Sequence, residues 1–412
     1  MTLSDKGNIV LLGGNVLNSG IADYCRQRGY KVIVVDWSPG ASLKGDLFLC
    51  MDVKDTESII RALRENHVSS ILGAFTSIDL AVPSMNAINR CYGLASMDYE
   101  AIGNALPKSE MTRIWNDAGI LNRYSRVFES FSDDIVGMVI KMKIIVKPNI
   151  SSSSRGITIL EKGSDRDTVK NAFEKAAKES FDRKVIVEEF VTGREFTCDM
   201  LGDSYGNVSV YGISVKYHTR NTQNNRIAVK LHYNSDCYPD ETYRRIARTG
   251  KLCYKALGFR SSFGHLEIIM KDDGTLSPVE IGARSSGFIA NPLVSIASGQ
   301  DYFGDYIRIL HGSRLSGQDF INGKESSMYF FYDMPKGKSV HHPCSIMDFL
   351  PESISSDYSN RAKVMEYGRR FDDISNDNER IGYEILRGDR HELSIDTVEN
   401  AEKDFIRHNT QE

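Results

Sequence analysis

SFGHLEIIMKDDGTLSPVEIGARSSGFIAN, residues 262–291, holds two alternating runs on either side of a polar turn. In the first, Phe263, His265, Glu267 and Ile269 fall on one side and Gly264, Leu266, Ile268 and Met270 on the other, the period of a β-strand. Leu276 to Ala283 alternates as well, and Asp272, Asp273, Gly274 and Thr275 supply the turn chemistry of a hairpin. With those four residues as the loop, in-register pairing sets Glu267 opposite Glu280 on one face. Carboxylates so placed have Cβ atoms about 5 Å apart and repel, so a positive charge is expected between them. Magnesium meets that demand, because it takes one or two carboxylates while substrate phosphates and water complete its shell. Arg284 follows, a fixed fork suited to phosphate oxygens, and then the small residues Ser285, Ser286 and Gly287. Taken alone, the pair also fits a solvated hairpin with two acids on its wet face; the rest of the chain favours the metal.

At 412 residues, with 41% hydrophobic and 26% charged, the chain has room for two or three domains with sizeable cores. A net charge of -4 gives no support to a nucleic-acid or anionic-membrane partner. The 7 cysteines show neither metal-ligand spacing nor a disulfide framework, and a reducing cytoplasm is the expected setting. No signal peptide, membrane-spanning run or internal repeat is legible.

Asn8 to Leu12 reads as a strand entering Gly13, Gly14 and Asn15, followed by a helix over 19–28 and a second strand, Lys31 to Val35, ending at Asp36. This opens a doubly wound parallel sheet. The spacing of Gly13, Gly14 and Gly20 is a poor dinucleotide fingerprint, and Asp36 fits turn formation better than a ribose contact. Further on, Lys108 precedes a helix over 109–117 that Ser109 can cap, and it adds positive potential at the helix entrance. A strand then ends on Lys147 and Pro148 and leads into NISSSSRG, residues 149–156, whose serines, Arg155 and Gly156 can close over phosphates. A serine-rich turn is also simply a linker. In KVIVEEFVTGREFTCDM, residues 184–200, a strand meets Glu188 and Glu189, bends at Thr192 and Gly193 and resumes with Glu195. Such a crossing can pair with a base edge and offer a carboxylate to a ribose, or be a hairpin with exposed acids.

Taken in this order, IVKPNISSSSRG, VIVEEFVTGREF, and HLEIIM with PVEIGARSSG resemble the ATP-grasp superfamily, over roughly residues 8–310. LLGGN and GAFTSIDLAVP resemble the α/β domain that precedes the grasp in carbamoyl-phosphate-synthetase-like members and amino-acid ligases. The resemblance implies a mixed α/β and α+β protein: a doubly wound domain over 1–106, a two-subdomain ATP-grasp fold over 107–315 with a lid at about 120–190, and a small C-terminal α+β domain over 316–412. It implies phosphate- and adenine-side lysines at Lys108 and Lys147, and a mobile phosphate loop that includes Ser153, Ser154, Arg155 and Gly156. It further implies an adenine hinge at Glu188, Glu189, Phe190 and Val191, a ribose acid at Glu195, and magnesium carboxylates at Glu267 and Glu280. Arg284, Lys147 and Arg155 would steady phosphate charge during catalysis.

The implied activity is ATP-dependent ligation of a carboxylate to an amine through an acylphosphate, with ATP and Mg2+, or Mn2+ in its place, and small-molecule partners; a homodimer is left open. Many members carry Asn two residues after the second metal acid, where this chain has Gly282, which removes one amide ligand. Substrate contacts are expected at Ser286 and Gly287 and in residues 216–232, at Lys216, His218 and Arg220; for His218 and Arg220, as for Lys230, an exposed charged loop is the competing reading. Another ATP-grasp branch, such as a purine-pathway or bicarbonate-activating enzyme, and a non-catalytic nucleotide-binding protein are the alternatives.

Overall fold

The computed structural model describes residues 7–15, 18–151, 154–221, 226–286, 290–318, 323, 325–342, 344–359 and 367–410. The first strands, β1 (Asn8–Leu12), β2 (Lys31–Asp36), β3 (Leu47–Cys50) and β4 (Ile71–Thr76), form a parallel sheet of order β3-β2-β1-β4. Their runs of buried aliphatic residues suit a sheet covered on both faces. Asp36 closes the turn after β1: its carboxylate accepts from Gly14 N at 2.7 Å and from Ser38 N at 2.8 Å. The turn reading of Asp36 therefore holds.

A second sheet comprises β5 (Ser125–Phe128), β6 (Ile144–Pro148), β7 (Thr158–Leu160) and β8 (Val185–Glu189), in the order β5-β8-β6-β7. With helices Asp133–Lys141 and Arg166–Glu179 it encloses an apolar cluster of its own, in which Phe128, Val139, Val146, Phe173 and Val187 are buried. A unit with a private core can move as a body.

The remaining strands, β9 (Arg194–Gly202), β10 (Val208–His218), β11 (Ala228–Tyr233), β12 (Ser262–Met270), β13 (Leu276–Gly282), β14 (Glu325–Tyr332), β15 (Ser355–Ser359) and β16 (Ile381–Asp389), make one antiparallel sheet, β13-β12-β9-β10-β11-β14-β16-β15. The segment beyond residue 316, expected as a small C-terminal α+β domain, contributes its described strands to the same sheet. Its three strands extend the central sheet, while Ile346, Phe371, Val398 and Phe405 pack a separate apolar cluster under them. The terminal helix runs Ile395–Thr410.

Gly193 marks the passage from β8 to β9. Its φ is +149°, and a Cβ there would lie 2.2 Å from the Met270 carbonyl oxygen, so only glycine lets the two backbones approach this closely. Among the described residues no helix is long and apolar enough to cross a membrane.

Candidate active site

The hairpin of β12 and β13 does set Glu267 across from Glu280, by a route that alternation alone does not show. Pairing begins at Met270 with Leu276, so the loop is the five residues Lys271–Thr275, one more than the turn residues suggest. Ile268 then pairs with Pro278, and the register shifts before Glu267 meets Glu280. The bulge takes up Val279 and restores the side on which Glu280 emerges. Pro278 is tolerated because β13 is an edge strand of the sheet.

Two lysines supply the expected positive charge. Lys216 Nζ lies 2.9 Å from Glu267 Oε1 and also bonds Glu195, while Lys108 Nζ lies 2.9 Å from Glu280 Oε2. Burial alone would raise the Glu280 carboxyl, but Lys108, with Lys147 and Arg284 beyond it, outweighs burial and holds it at about 2. Burial does raise Glu267, helped by Glu280 and Glu195 against the opposing pull of Lys216. Burial would lower Lys216, yet Glu195 and Glu267 push it well above the usual lysine range. Glu195, Lys216, Glu267 and Glu280 are carried by strands of the eight-stranded sheet, Lys147 by β6 of the second sheet and Lys108 by helix Lys108–Asp117. Ser109 does not cap that helix; its amide and that of Lys108 donate at 3.0 Å to the side-chain and backbone oxygens of Asn149. Lys108 Nζ donates in turn to the Ser151 carbonyl at 3.0 Å, so helix and phosphate loop are tied together.

Lys147 and Glu188 form a second buried centre. Lys147 Nζ is 2.7 Å from Glu188 Oε2, Arg123 is 3.3 Å from the same oxygen, and Thr112 donates to Oε1 at 3.0 Å. Glu188 is 1% exposed. Burial acts to raise its carboxyl; Lys147 and Arg123 prevail and hold it at about 2. Its oxygens serve this ion cluster. At the hinge, Glu189 N donates to the Tyr124 carbonyl at 3.1 Å and Phe190 N to the Lys143 carbonyl at 3.0 Å. The contact expected from Phe190 is thereby limited to its carbonyl and ring.

Three adjoining cavities run through the site. One of about 110 Å³ is walled by Glu188, Glu189, Phe190, Val191, Glu195 and Lys216. It shares Lys147, Ser154 and Glu267 with a cavity of about 260 Å³ that reaches Lys108, Arg155, Glu280, Arg284 and Ser286. That one shares Asp79, His265, Glu280 and Arg284 with a third, of about 570 Å³, bounded by the first sheet's domain, the phosphate loop and β13. Gly156, at φ +71°, closes the phosphate loop where a Cβ would lie 2.8 Å from that of Glu179.

Several expected substrate residues are placed elsewhere. Lys216 lines the smallest of the three cavities, and His218 sits behind it with Nε2 3.0 Å from Glu195 Oε2; burial lowers this imidazole more than Glu195 raises it. Arg220 is exposed and lines none of the three cavities, its amide donating to Asp333. Ser286 is buried on the wall of the middle cavity. Ser153 and Gly287 lie outside the described residues.

Other residues at the site were not singled out from sequence. Asp79 accepts from Arg284 at 2.8 Å, although 205 positions separate them. Burial opposes the charge on Arg284, and Asp79 more than offsets it. This pair also accounts for Gly282: a Cβ there would lie 3.1 Å from Arg284 Cζ and 3.1 Å from Asp79 Oδ1, so the space of an asparagine side chain is already filled. Among the described residues the buried Arg284 Nε has no hydrogen-bond partner. His265 lay in plain view, on the same side of the strand as Glu267, but alternation says nothing about what backs it.

A four-stranded sheet with its own core, an eight-stranded antiparallel sheet bearing paired acids, and cavities lined from both form an ATP-grasp arrangement. Residues 140–291 match the ATP-grasp domain. The chain is 28% identical over 198 residues to the D-alanine–D-alanine ligase of Cupriavidus taiwanensis, a match covering 47% of this chain and 58% of that enzyme. In structure it is similar to the L-amino acid ligase from Bacillus licheniformis, with TM-score 0.77 at 16% identity over 98% of this chain and 97% of that one. It is also similar to the ADP-complexed N5-carboxyaminoimidazole synthetase from Staphylococcus aureus, with TM-score 0.69 at 14% identity over 99% and 98%.

Proposed function

We propose that this protein is an ATP-dependent ligase that joins a carboxylate to an amine, of the amino-acid or peptide-forming kind, through an acylphosphate and with release of ADP and phosphate. The observation that carries the reading is the row of three cavities with Glu267 opposite Glu280 at its middle. The names of the similar D-alanine–D-alanine and L-amino acid ligases support it. We assign the smallest cavity to adenine and ribose, with Glu189, Phe190, Val191 and Glu195 as walls, the middle one to the phosphates, and the largest to the two joined substrates. The division at 106 and 315, with a lid at about 120–190, and a cytoplasmic setting belong to the same proposal.

Two opposed carboxylates, each now neutralised by a lysine, suit magnesium, and the unpartnered Nε–H of the buried Arg284 suits a phosphate oxygen beside it. Glu267 and Glu280 would hold the ion, and bound there it would neutralise charge on the terminal phosphates. Gly282 adds no ligand, so the protein contributes carboxylates alone. Phosphoryl transfer needs chiefly in-line placement and neutral surroundings for developing charge. Lys147 and Lys216 supply charge on the nucleotide side, Lys108 and Arg284 on the substrate side, and Arg155 from the loop. Closure of the lid excludes water from the acylphosphate.

Incubation with ATP, Mg2+ and pairs of proteinogenic amino acids should release ADP and yield a dehydrated adduct by mass spectrometry. Glu280→Gln should lower turnover by about a hundredfold or more while ATP binding changes by only a few-fold. ATP binding with no ADP from any pair would favour a non-catalytic nucleotide binder, and an adduct containing bicarbonate carbon would favour the other branch.

A further inference from the structure

The largest cavity, of about 570 Å³, is in the size range that encloses a whole small ligand, and its charges fall into distinct sets. At the inner end Lys108 is engaged with Glu280 and Arg284 with Asp79, and His265 stands beside them. The phosphate loop and helix Arg166–Glu179 add one charge of each sign, Arg155 and Glu179. Toward solvent the same cavity is lined by the exposed Lys54, Lys178 and Arg183. Among the described residues Lys178 and Arg183 form no ion pair, and Lys54 has an exposed one, with Asp52 at 3.3 Å, of a kind that contributes little. Arg183 is held at φ +61°, a left-handed conformation that glycine or asparagine adopts more readily. Its turn is tied to the start of the phosphate loop on both sides: Phe181 N donates to the Ile150 carbonyl at 2.9 Å, and Asn149 N to the Lys184 carbonyl at 3.1 Å. The neighbouring acid, Asp182, is occupied within the turn, accepting from Asn149 Nδ2 at 2.7 Å and Ser180 Oγ at 2.8 Å, and does not line the cavity. The same turn leaves Phe181 62% exposed, with Lys54 Nζ 5.1 Å from its ring centroid, and Leu80, Leu106 and Met111 add further apolar wall.

A ligand seated here meets apolar wall along its length and three unmatched cations at its solvent end, which suits a short carbon chain bearing carboxylates. We propose that the amine joined by this enzyme is an acidic amino acid, glutamate or aspartate. Its amine points inward to the acyl carbon beside Glu280 and Arg284, and its carboxylates lie toward Lys54, Lys178 and Arg183. Any α-amino acid brings one carboxylate; the surplus of three cations matches a second. Lys54 comes from the first sheet's domain and the other two from the unit of the second sheet, so the anionic end is gripped from both. In the step served, the amine lone pair forms the C–N bond and the C–O bond to phosphate breaks. The electron pair of that bond leaves with phosphate, which departs as HPO4(2−) with the surplus amine proton. This assignment rests on the ligase reading and names the class of its second substrate.

Hydroxylamine separates the two claims, since it traps an acylphosphate from solution as a hydroxamate and is small enough to need no subsite. The full chain with ATP and Mg2+ is first given a panel of amino acids with hydroxylamine, and the acids that yield hydroxamate are then paired with four amines. Glutamate and glutamine differ only in the charge at the end of the side chain, as do aspartate and asparagine. In at least one of these pairs kcat/KM should favour the acidic amine by about tenfold or more, chiefly through KM. Arg183→Gln combined with Lys178→Gln should bring that ratio down to about threefold or less. The ratio is read within each variant, so a loss of folded enzyme lowers both amines alike and leaves it unmoved. Equal kcat/KM for acidic and neutral amines in the parent, a ratio that survives the double replacement, or hydroxamate without amide from either acidic amino acid would overturn the assignment. Absence of hydroxamate from the parent with every acid would overturn the ligase reading itself, and this assignment with it.

Discussion

Replacing Glu188 with Gln removes the charge that Lys147 and Arg123 share while keeping the shape of the side chain. The folded carboxyl sits at about 2 against an ordinary 4.5, and at about 1.4 kcal/mol per unit the cluster contributes on the order of 3 kcal/mol at neutral pH. Removing one partner of a buried pair strands the others, which costs a similar amount, about 3–5 kcal/mol. Because the folded value is depressed, the contribution is complete above the unfolded value near 4.5 and fades as pH falls toward about 2. Near pH 3 it should be down to about 1 kcal/mol. Hydrogen exchange of the amides in β6 and β8, which carry Lys147 and Glu188, reads this locally. Parent and variant should differ by roughly 3 kcal/mol of opening free energy at pH 7, and by less than half of that near pH 3. An equal difference at both pH values, or one below about 0.5 kcal/mol at pH 7, would refute the account of this cluster.

Two further outcomes follow from the geometry. Gly282→Asn should not supply a missing ligand but should push Arg284 away from Asp79, lowering kcat by about tenfold or more with little change in ATP affinity, both measurable by ADP release and nucleotide titration. Arg220→Ala should leave KM and kcat within about twofold of the parent, since the side chain is exposed and outside the three cavities; a larger loss would return it to the substrate site.

What could be read from sequence was what adjacent residues decide: the glycine turn after β1, the lysine before Pro148, the bend at Gly193, and two acids on facing strands. The bulge at Val279 shows how narrow that success is. The turn residues suggested a loop one residue too short, and the register came out correct because the bulge offsets the longer loop. Contacts across the chain were not legible. Lys216 looked like a substrate contact because it lies in a basic stretch, yet sheet order sets β9 between β10 and β12 and so delivers Lys216 to Glu195 and Glu267. Ser109 looked like a helix cap, but Asn149 arrives from a different unit and takes the exposed amides. Arg123 and Asp79 are ordinary charged residues until the topology brings each to its partner.

The eight-stranded sheet also bears on how this protein can be made. β11 is flanked on one side by β10, its neighbour in the chain, and on the other by β14, which a ribosome delivers only after the hairpin of β12 and β13 and three helices have emerged. Until then β11 offers an open row of backbone donors and acceptors to any passing strand. The nascent chain thus passes through a stage in which its nucleotide-facing hairpin is complete while the far side of the same sheet is still adhesive, and chaperones would have the most to do in that interval.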